Sequence, residues 1–369
     1  MVEAVSLPNT YETMYRQATA LVSQGQHDAA IGILQRIVRR ISSLSRATLT
    51  QQENLARFGL AASQQLSALL SAGGRYEEAI AVIRGMAKLS PEEEDALERQ
   101  AALVKTEEGR LDEARAELTA LAERFPHDPA HWLALARVEI SSGGHAEAEQ
   151  ALERAAEAAG GDADRASVQY MRFVLHAARS SVPEALAAWT ELASLDADGA
   201  LHLASRLYDL LLRTGELTVL RRYLDADSAP LRREYYRGLL ANRAGDFTGG
   251  RHHWEGLLAT NPLEQRLGQL QWAEAALRLG KTDEALALVA TGTGETRSAR
   301  GMLLLAIGLA RKKQVIRAAE VLVNGTRILR SGTPRRERYS SEDWDLLTSL
   351  VDGRGDWEQL KTYFDAVAA

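Results

Sequence analysis

The segment Gly74-Arg75-Tyr76-Glu77-Glu78-Ala79-Ile80 recurs in altered copies along the chain, and no other feature restricts the fold as strongly. Gly109 to Arg115 is a close copy, and segments opening at Gly25, Gly143, Gly245, Gly280 and Gly355 follow the same plan: a Gly, then a small residue five positions on. That small position falls at Ala30, Ala79, Ala114, Ala148 and Ala185, then at Leu220, Gly250, Ala285, Ala319 and Leu360. The spacings are 49, 35, 34, 37, 35, 30, 35, 34 and 41 residues, so the chain carries an internal period near 34. A period of this length is the mark of stacked supersecondary units, each burying one face internally and another against its neighbour. The 369 residues therefore need no single large core.

Each residue type in the repeat has a physical job. Gly supplies the positive φ that ends a first helix cheaply, and the small residue lets a second helix pack closely against it. Bulky residues four later, such as Ile83, Leu118, Trp189 and Trp254, continue an apolar stripe at helical spacing. Helix starts are marked by Ser90-Pro91-Glu92-Glu93, Asp128-Pro129 and Asn261-Pro262-Leu263-Glu264, each with a capping side chain followed by Pro at the first helical position.

Spacing and residues together resemble the tetratricopeptide repeat, in which an aromatic, Leu and a small residue precede Gly, Ala, an aromatic and Pro. Trp132, Leu135, Ala136, Gly143, Ala148, Leu152 and Ala155 follow that order in the fourth copy, and Trp344, Leu347, Gly355, Trp357 and Phe364 in the last. Pro91, Pro126 and Pro262 fall at the terminal proline. The resemblance spans residues 11–369 and implies an all-α fold, a right-handed α-solenoid of about ten helix hairpins. One superhelical domain over 1–369 is expected: irregular N-terminal hairpins at 9–90, regular repeats at 91–330, a basic turn-rich insertion at 331–340 and a terminal hairpin at 341–369.

Departures from the pattern locate irregular packing. The 49-residue spacing implies long helices near Ile31–Leu44 and Thr48–Leu70. The fifth copy has Ser180-Ser181-Val182-Pro183 where the turn Gly belongs, and the sixth has Leu220 in the small position, which predicts looser packing there. Gly249-Gly250 should weaken its helix by roughly 1 kcal/mol per Gly relative to Ala.

Composition excludes several chemistries. With no cysteine there are no disulfides, thiolate metal sites or thiol nucleophiles. A hydrophobic content of 46% with only 8 prolines argues against long disorder. No apolar run reaches the roughly 18 residues of a membrane span, and the start has no basic-then-apolar leader, so a cytoplasmic location without membrane contact is expected. The net charge of −6 argues against a general nucleic-acid binder. The charge is uneven, with 19 acidic and 7 basic residues from Glu92 to Asp164, but 11 basic and 2 acidic from Arg297 to Arg338.

Candidate chemical motifs resolve to bland readings. His127 and His131 are four apart, but the first precedes the helix cap, so packing is expected rather than metal ligation; His252-His253 reads the same way. Gly292-Thr293-Gly294-Glu295-Thr296 lacks the Lys-Ser/Thr ending and preceding strand of a phosphate loop. The acidic clusters lie in helix starts and turns, where they match the macrodipole. No catalytic residue, metal or cofactor is expected, and the chain reads as a non-enzyme.

What the resemblance implies about function is protein binding. First helices of successive repeats line a concave groove, which makes the chain a scaffold or adaptor for a peptide or protein segment. Groove positions are expected at Arg206, Asp209, Arg213, Arg232, Tyr235, Tyr236, Arg243 and Arg278, with Arg99, Arg137, Tyr170, His202, Glu274 and Arg311 on the same side. Arg and Tyr are the types enriched at binding hot spots. The Lys and Asn pair with which chaperone-binding relatives clamp a terminal carboxylate is absent at matching positions. A second candidate surface is the basic stretch Arg327, Arg330, Arg335, Arg336 and Arg338, which suits an anionic partner and carries the alternative reading of a nucleic-acid-binding helical repeat. A helical-toroid enzyme ranks below both, and self-association stays open.

Overall fold

The computed structural model of the chain describes residues 7–23, 26–44, 48, 53–86, 93–259, 269–290, 299–332, 349–351, 358–362 and 364. Every regular element among them is helical. The first hairpins are α1 (Leu7–Ser23) with α2 (His27–Ser42), and α3 (Glu53–Ala72) with α4 (Tyr76–Met86). Next come α5 (Glu94–Glu108) with α6 (Leu111–Arg124), α7 (Pro129–Ser142) with α8 (His145–Ala158), and α9 (Asp162–Ala178) with α10 (Val182–Leu195). They are followed by α11 (Ala197–Thr214) with α12 (Leu217–Ala226), and α13 (Pro230–Arg243) with α14 (Phe247–Leu258). The last described pairs are α15 (Gln269–Arg278) with α16 (Thr282–Ala290), and α17 (Ala299–Arg311) with α18 (Val315–Gly332).

From α1 to α8 and from α10 to α17 each helix packs against its successor, and α1/α3, α5/α7, α11/α13 and α15/α17 also touch across the intervening helix. This is the pattern of an all-α solenoid. The chain divides into two compact units, one over residues 1–164 and the other over 165–331 and 335–369. The first unit's main core gathers Leu34, Ile37, Leu66 and Ile83. The second has one core around Phe173, Tyr208, Tyr236, Trp254 and Trp272 and another around Leu277, Leu304 and Leu322. No helix among the described residues is long and apolar enough to cross a membrane.

The turn between paired helices repeats one backbone device. Gly74, Gly109, Gly143, Gly215, Gly245 and Gly280 all have φ between 73° and 89°. At Gly109 the left-handed residue lets its own N–H and that of Arg110 close onto the carbonyls of Thr106 and Lys105, satisfying groups the helix end leaves open. Where the sequence lacks Gly, the geometry persists: Ser180 has φ 56° and Lys313 φ 62°.

The small position behaves as expected, with Ala79, Ala114, Ala148 and Ala185 fully buried. Gly250 takes this role in α14 for a specific reason. A Cβ there would lie 2.2 Å from Asn242 Oδ1, and one on Gly238 of α13 would lie 2.3 Å from Trp254 Nε1. The helical cost of glycine is thus exchanged for close approach of α13 and α14. In the sixth copy Leu220 is fully buried in the small position.

Of the expected caps, Asp128 accepts the Ala130 amide at 2.8 Å. Ser90-Pro91 and Asn261-Pro262 lie outside the described residues. Two unanticipated caps repeat the device, Asp196 on the Gly199 amide at 2.9 Å and Asp246 on Gly249 at 2.8 Å. The long first spacing is absorbed by 16 residues in α2, 20 in α3 and the 43–52 connection. Residues 333–348 lie outside the described set, and of the terminal hairpin only 349–351, 358–362 and 364 are described.

Candidate docking site

In the second unit, helices α11, α13, α15 and α17, each the first of its hairpin, contribute most of the lining of a cavity of about 840 Å³. The lining follows the repeat on α11, α13 and α15, while Arg311 and Ile307 of α17 keep the register without lining the cavity. Two residues before the turn residue stand Arg213, Arg243, Arg278 and Arg311, in the last turn of each first helix, where a cation also suits the helix dipole. Four residues earlier the same register holds Asp209, Leu239, Glu274 and Ile307. Two of these helices therefore carry an acid with an Arg one turn on, whereas α13 carries Leu239 with Arg243.

Glu274 is the anchor of the cavity wall. It is buried, and Arg278 donates to its Oε1 at 2.7 and 2.9 Å while Arg300 and the Tyr235 hydroxyl donate to Oε2 at 2.8 and 2.9 Å. Burial alone would raise its pKa, but the charges of Arg300 and Arg278 outweigh that and hold it at about 2. The Arg278 guanidinium also lies 5.1 Å from the Trp254 ring centroid, a cation–π contact that fixes its orientation.

Asp209 has a different balance. It stays exposed toward the cavity, yet protein crowds its flanks, and this desolvation pushes its carboxyl up to about 6 against the Tyr236 hydrogen bond and the charge of Arg300. The Tyr236 hydroxyl lies 2.8 Å from Asp209 Oδ1 and 3.0 Å from the Ser205 carbonyl. Its ring meets those of Tyr208 and Tyr235 edge-on, both at 5.1 Å between centroids. Burial raises both tyrosine pKa values well above the usual range, so their hydroxyls stay protonated donors.

The structure brings Asp209, Arg213, Tyr235, Tyr236, Arg243 and Arg278 to this one cavity. Arg206 is exposed on α11 but does not line it. Arg232 lies elsewhere: it forms a two-point contact with Asp227 at 2.7 Å and donates to the Leu201 carbonyl, while Tyr208 donates to Asp227 at 3.0 Å. That cluster clamps the α12–α13 connection. Arg327 and Arg330 fall in α18 with side chains outside the described residues, and Arg335, Arg336 and Arg338 lie outside them altogether. Sequence reasoning did not single out Arg300, Asn242, Gln271, Leu270 or Phe247 as lining residues. Phe247 is 71% exposed at the position where the equivalent Leu111 is buried, and that mismatch is visible only once burial is known.

Elsewhere, His131 is buried and stacked on Phe125, with Nε2 at 3.3 Å from Asp95 and from Asp128. Burial and the neighbouring Arg99 lower its pKa. His127 is exposed, so the two histidines share no site. Arg99 supplies beside the two carboxylates the positive charge that a metal would bring.

Residues 105–169 and, separately, 12–40 match the tetratricopeptide repeat family. These two segments are tetratricopeptide repeats within the all-α solenoid. Similar solved structures include a tetratricopeptide repeat protein from Parabacteroides merdae, 14% identical over 69% of this chain and 95% of that one, with a TM-score of 0.43. The Cut9–Hcn1 hetero-tetramer of APC/C aligns at 15% identity over 87% of this chain and 59% of that one, with a TM-score of 0.40. The P58(IPK) TPR domain aligns at 12% identity over 97% and 99%, with a TM-score of 0.25. No curated protein matches the chain in sequence. Tetratricopeptide repeats support a general role as a protein-interaction scaffold.

Proposed function

We propose that this chain is a non-enzymatic scaffold or adaptor that holds a peptide or protein segment against α11, α13, α15 and α17. The observation carrying this reading is the cavity, where a rigid tyrosine–carboxylate–arginine wall stands beside an exposed Phe247 and arginines without acidic partners. A preorganised wall costs little ordering entropy on binding, and aromatic and guanidinium groups supply most of the energy at protein interfaces. The polar groups here stabilise one another through hydrogen bonds, with no nucleophile–base pair among them, which favours holding over chemistry.

A photoreactive amino acid at position 247 of the full-length chain tests this reading, with the same group at position 154, exposed on the second helix of its hairpin, as the control. Protein adducts at 247 that exceed those at 154 support docking on this face. Equal or absent adducts at 247 count against it.

A further inference from the structure

The repeat register makes the occupant's chemistry legible. On α15, Glu274 answers Arg278 one turn on, and on α11 Asp209 stands in the same relation to Arg213. Between them, α13 keeps Arg243 but replaces the acid with Leu239, and both side chains line the cavity. Arg243 is exposed and has no hydrogen bond or ion pair among the described residues. Arg213 donates to the Ala177 carbonyl at 3.0 Å and has no carboxylate within ion-pair distance among the described residues. The cavity thus sets four arginines, at 213, 243, 278 and 300, against two carboxyls.

We infer that the partner supplies the missing acid: the site takes an acidic segment of another protein, with a side-chain carboxylate on Arg243 and an adjacent apolar side chain on Phe247. This rests on the docking reading above. A carboxylate matches the planar fork of a guanidinium, and Leu239 shields the pair from water on one side. A singly charged group suits this site better than a phosphate, because Asp209 and Glu274 face the same space and repel a second negative charge. The acid is an internal side chain, so the site needs no free C-terminus.

The test uses fluorescence polarisation with the full-length chain and a labelled twelve-residue peptide of alternating Glu and Leu, capped at both ends. The capped Glu peptide is expected to bind at least tenfold more tightly than the matching Gln peptide, with the difference shrinking at high salt. Arg243→Ala should remove that preference. Leu239→Glu should abolish binding by giving Arg243 an internal partner, while Leu239→Gln, with helicity and melting checked for both, retains it. Equal binding of Glu and Gln peptides, or unchanged binding by Leu239→Glu, overturns the acidic assignment and leaves position-247 adducts as the separate measure of docking. Tighter binding of a phosphoserine peptide than of the Glu peptide overturns it in favour of phosphate. Concentration-dependent self-association that Leu239→Glu removes overturns it in favour of a second copy.

Discussion

The hairpins of residues 94–158 and those of residues 197–278 are built on one repeat, but they treat their charges in opposite ways. In the first region cations are paired with nearby acids. Lys105, itself buried, meets Glu117 at 2.6 Å, and Arg110 meets Glu113 at 2.6 Å and Glu108 at 3.1 Å. Arg115 meets the buried Glu139 at 2.6 Å, and Arg124 meets Glu98 at 2.6 Å. In the second, Glu274 gathers two guanidiniums while Arg243 has no acid among the described residues, and the position that holds Glu274 before Arg278 holds Leu239 before Arg243. A repeat closed on itself is structural, and the place where the pattern is left incomplete is where the proposed partner docks.

The comparison breaks most visibly at Glu274. Glu274→Ala strands Arg278, Arg300 and the Tyr235 hydroxyl and should cost about 3 kcal/mol in urea unfolding, because loss of one partner leaves buried charge uncompensated. Next comes a matched pair of substitutions. Arg115→Ala exposes the first region's dependence on its ion pairs by leaving Glu139 buried and unpaired, at about 2 kcal/mol once the half-open Arg115 side is discounted for screening. Arg243→Ala should stay within about 0.5 kcal/mol of the parent, since nothing folded depends on it.

The turns, shared by both regions, give a smaller effect. Gly109→Ala forces a side chain into the left-handed region and should destabilise by about 1 kcal/mol, whereas Ser180→Gly relieves that strain and should stabilise by about 0.5 kcal/mol. Both are read from thermal melts.

The smallest effect is pH-dependent. Folding raises the Asp209 carboxyl to about 6, so its contribution is complete below its ordinary range near 4 and is lost as pH rises through 6. Cavity water screens part of it, and the groups that set it are Tyr236, Arg300, Glu274 and Arg213. Glu274 has the opposite sign: its contribution is present above the usual carboxylate range and disappears as pH falls toward 2. Asp209→Asn should therefore flatten stability between pH 4 and 6 and leave the acid limb intact.

Much of this was legible in the chain itself. The period, the turn positions and the Arg two residues before each late turn are local patterns, so Asp209, Arg213, Arg243 and Arg278 could be placed on one side before any coordinates. The tyrosines were harder. Tyr235 and Tyr236 fill the space beside α11 and α15, and their hydroxyls reach acids 39 and 27 residues away, a separation no local pattern encodes. Arg300 reaches Glu274 across 26 residues for the same reason. Phe247 reads as an ordinary core position, because a sequence shows that a residue is apolar but not that its neighbours leave it uncovered.

The central claim is that the hairpins of residues 197–278 leave Arg213 and Arg243 open at the cavity, whereas those of residues 94–158 pair their arginines with acids. Arginine modification with phenylglyoxal, mapped residue by residue by mass spectrometry on the full-length chain with and without the capped Glu–Leu peptide, measures this directly. Arg243 and Arg213 should react faster than Arg110 and Arg115 and should be protected by the peptide. Equal reactivity at Arg110, Arg115 and Arg243, or reactivity at Arg243 that the peptide leaves unchanged, would contradict the account.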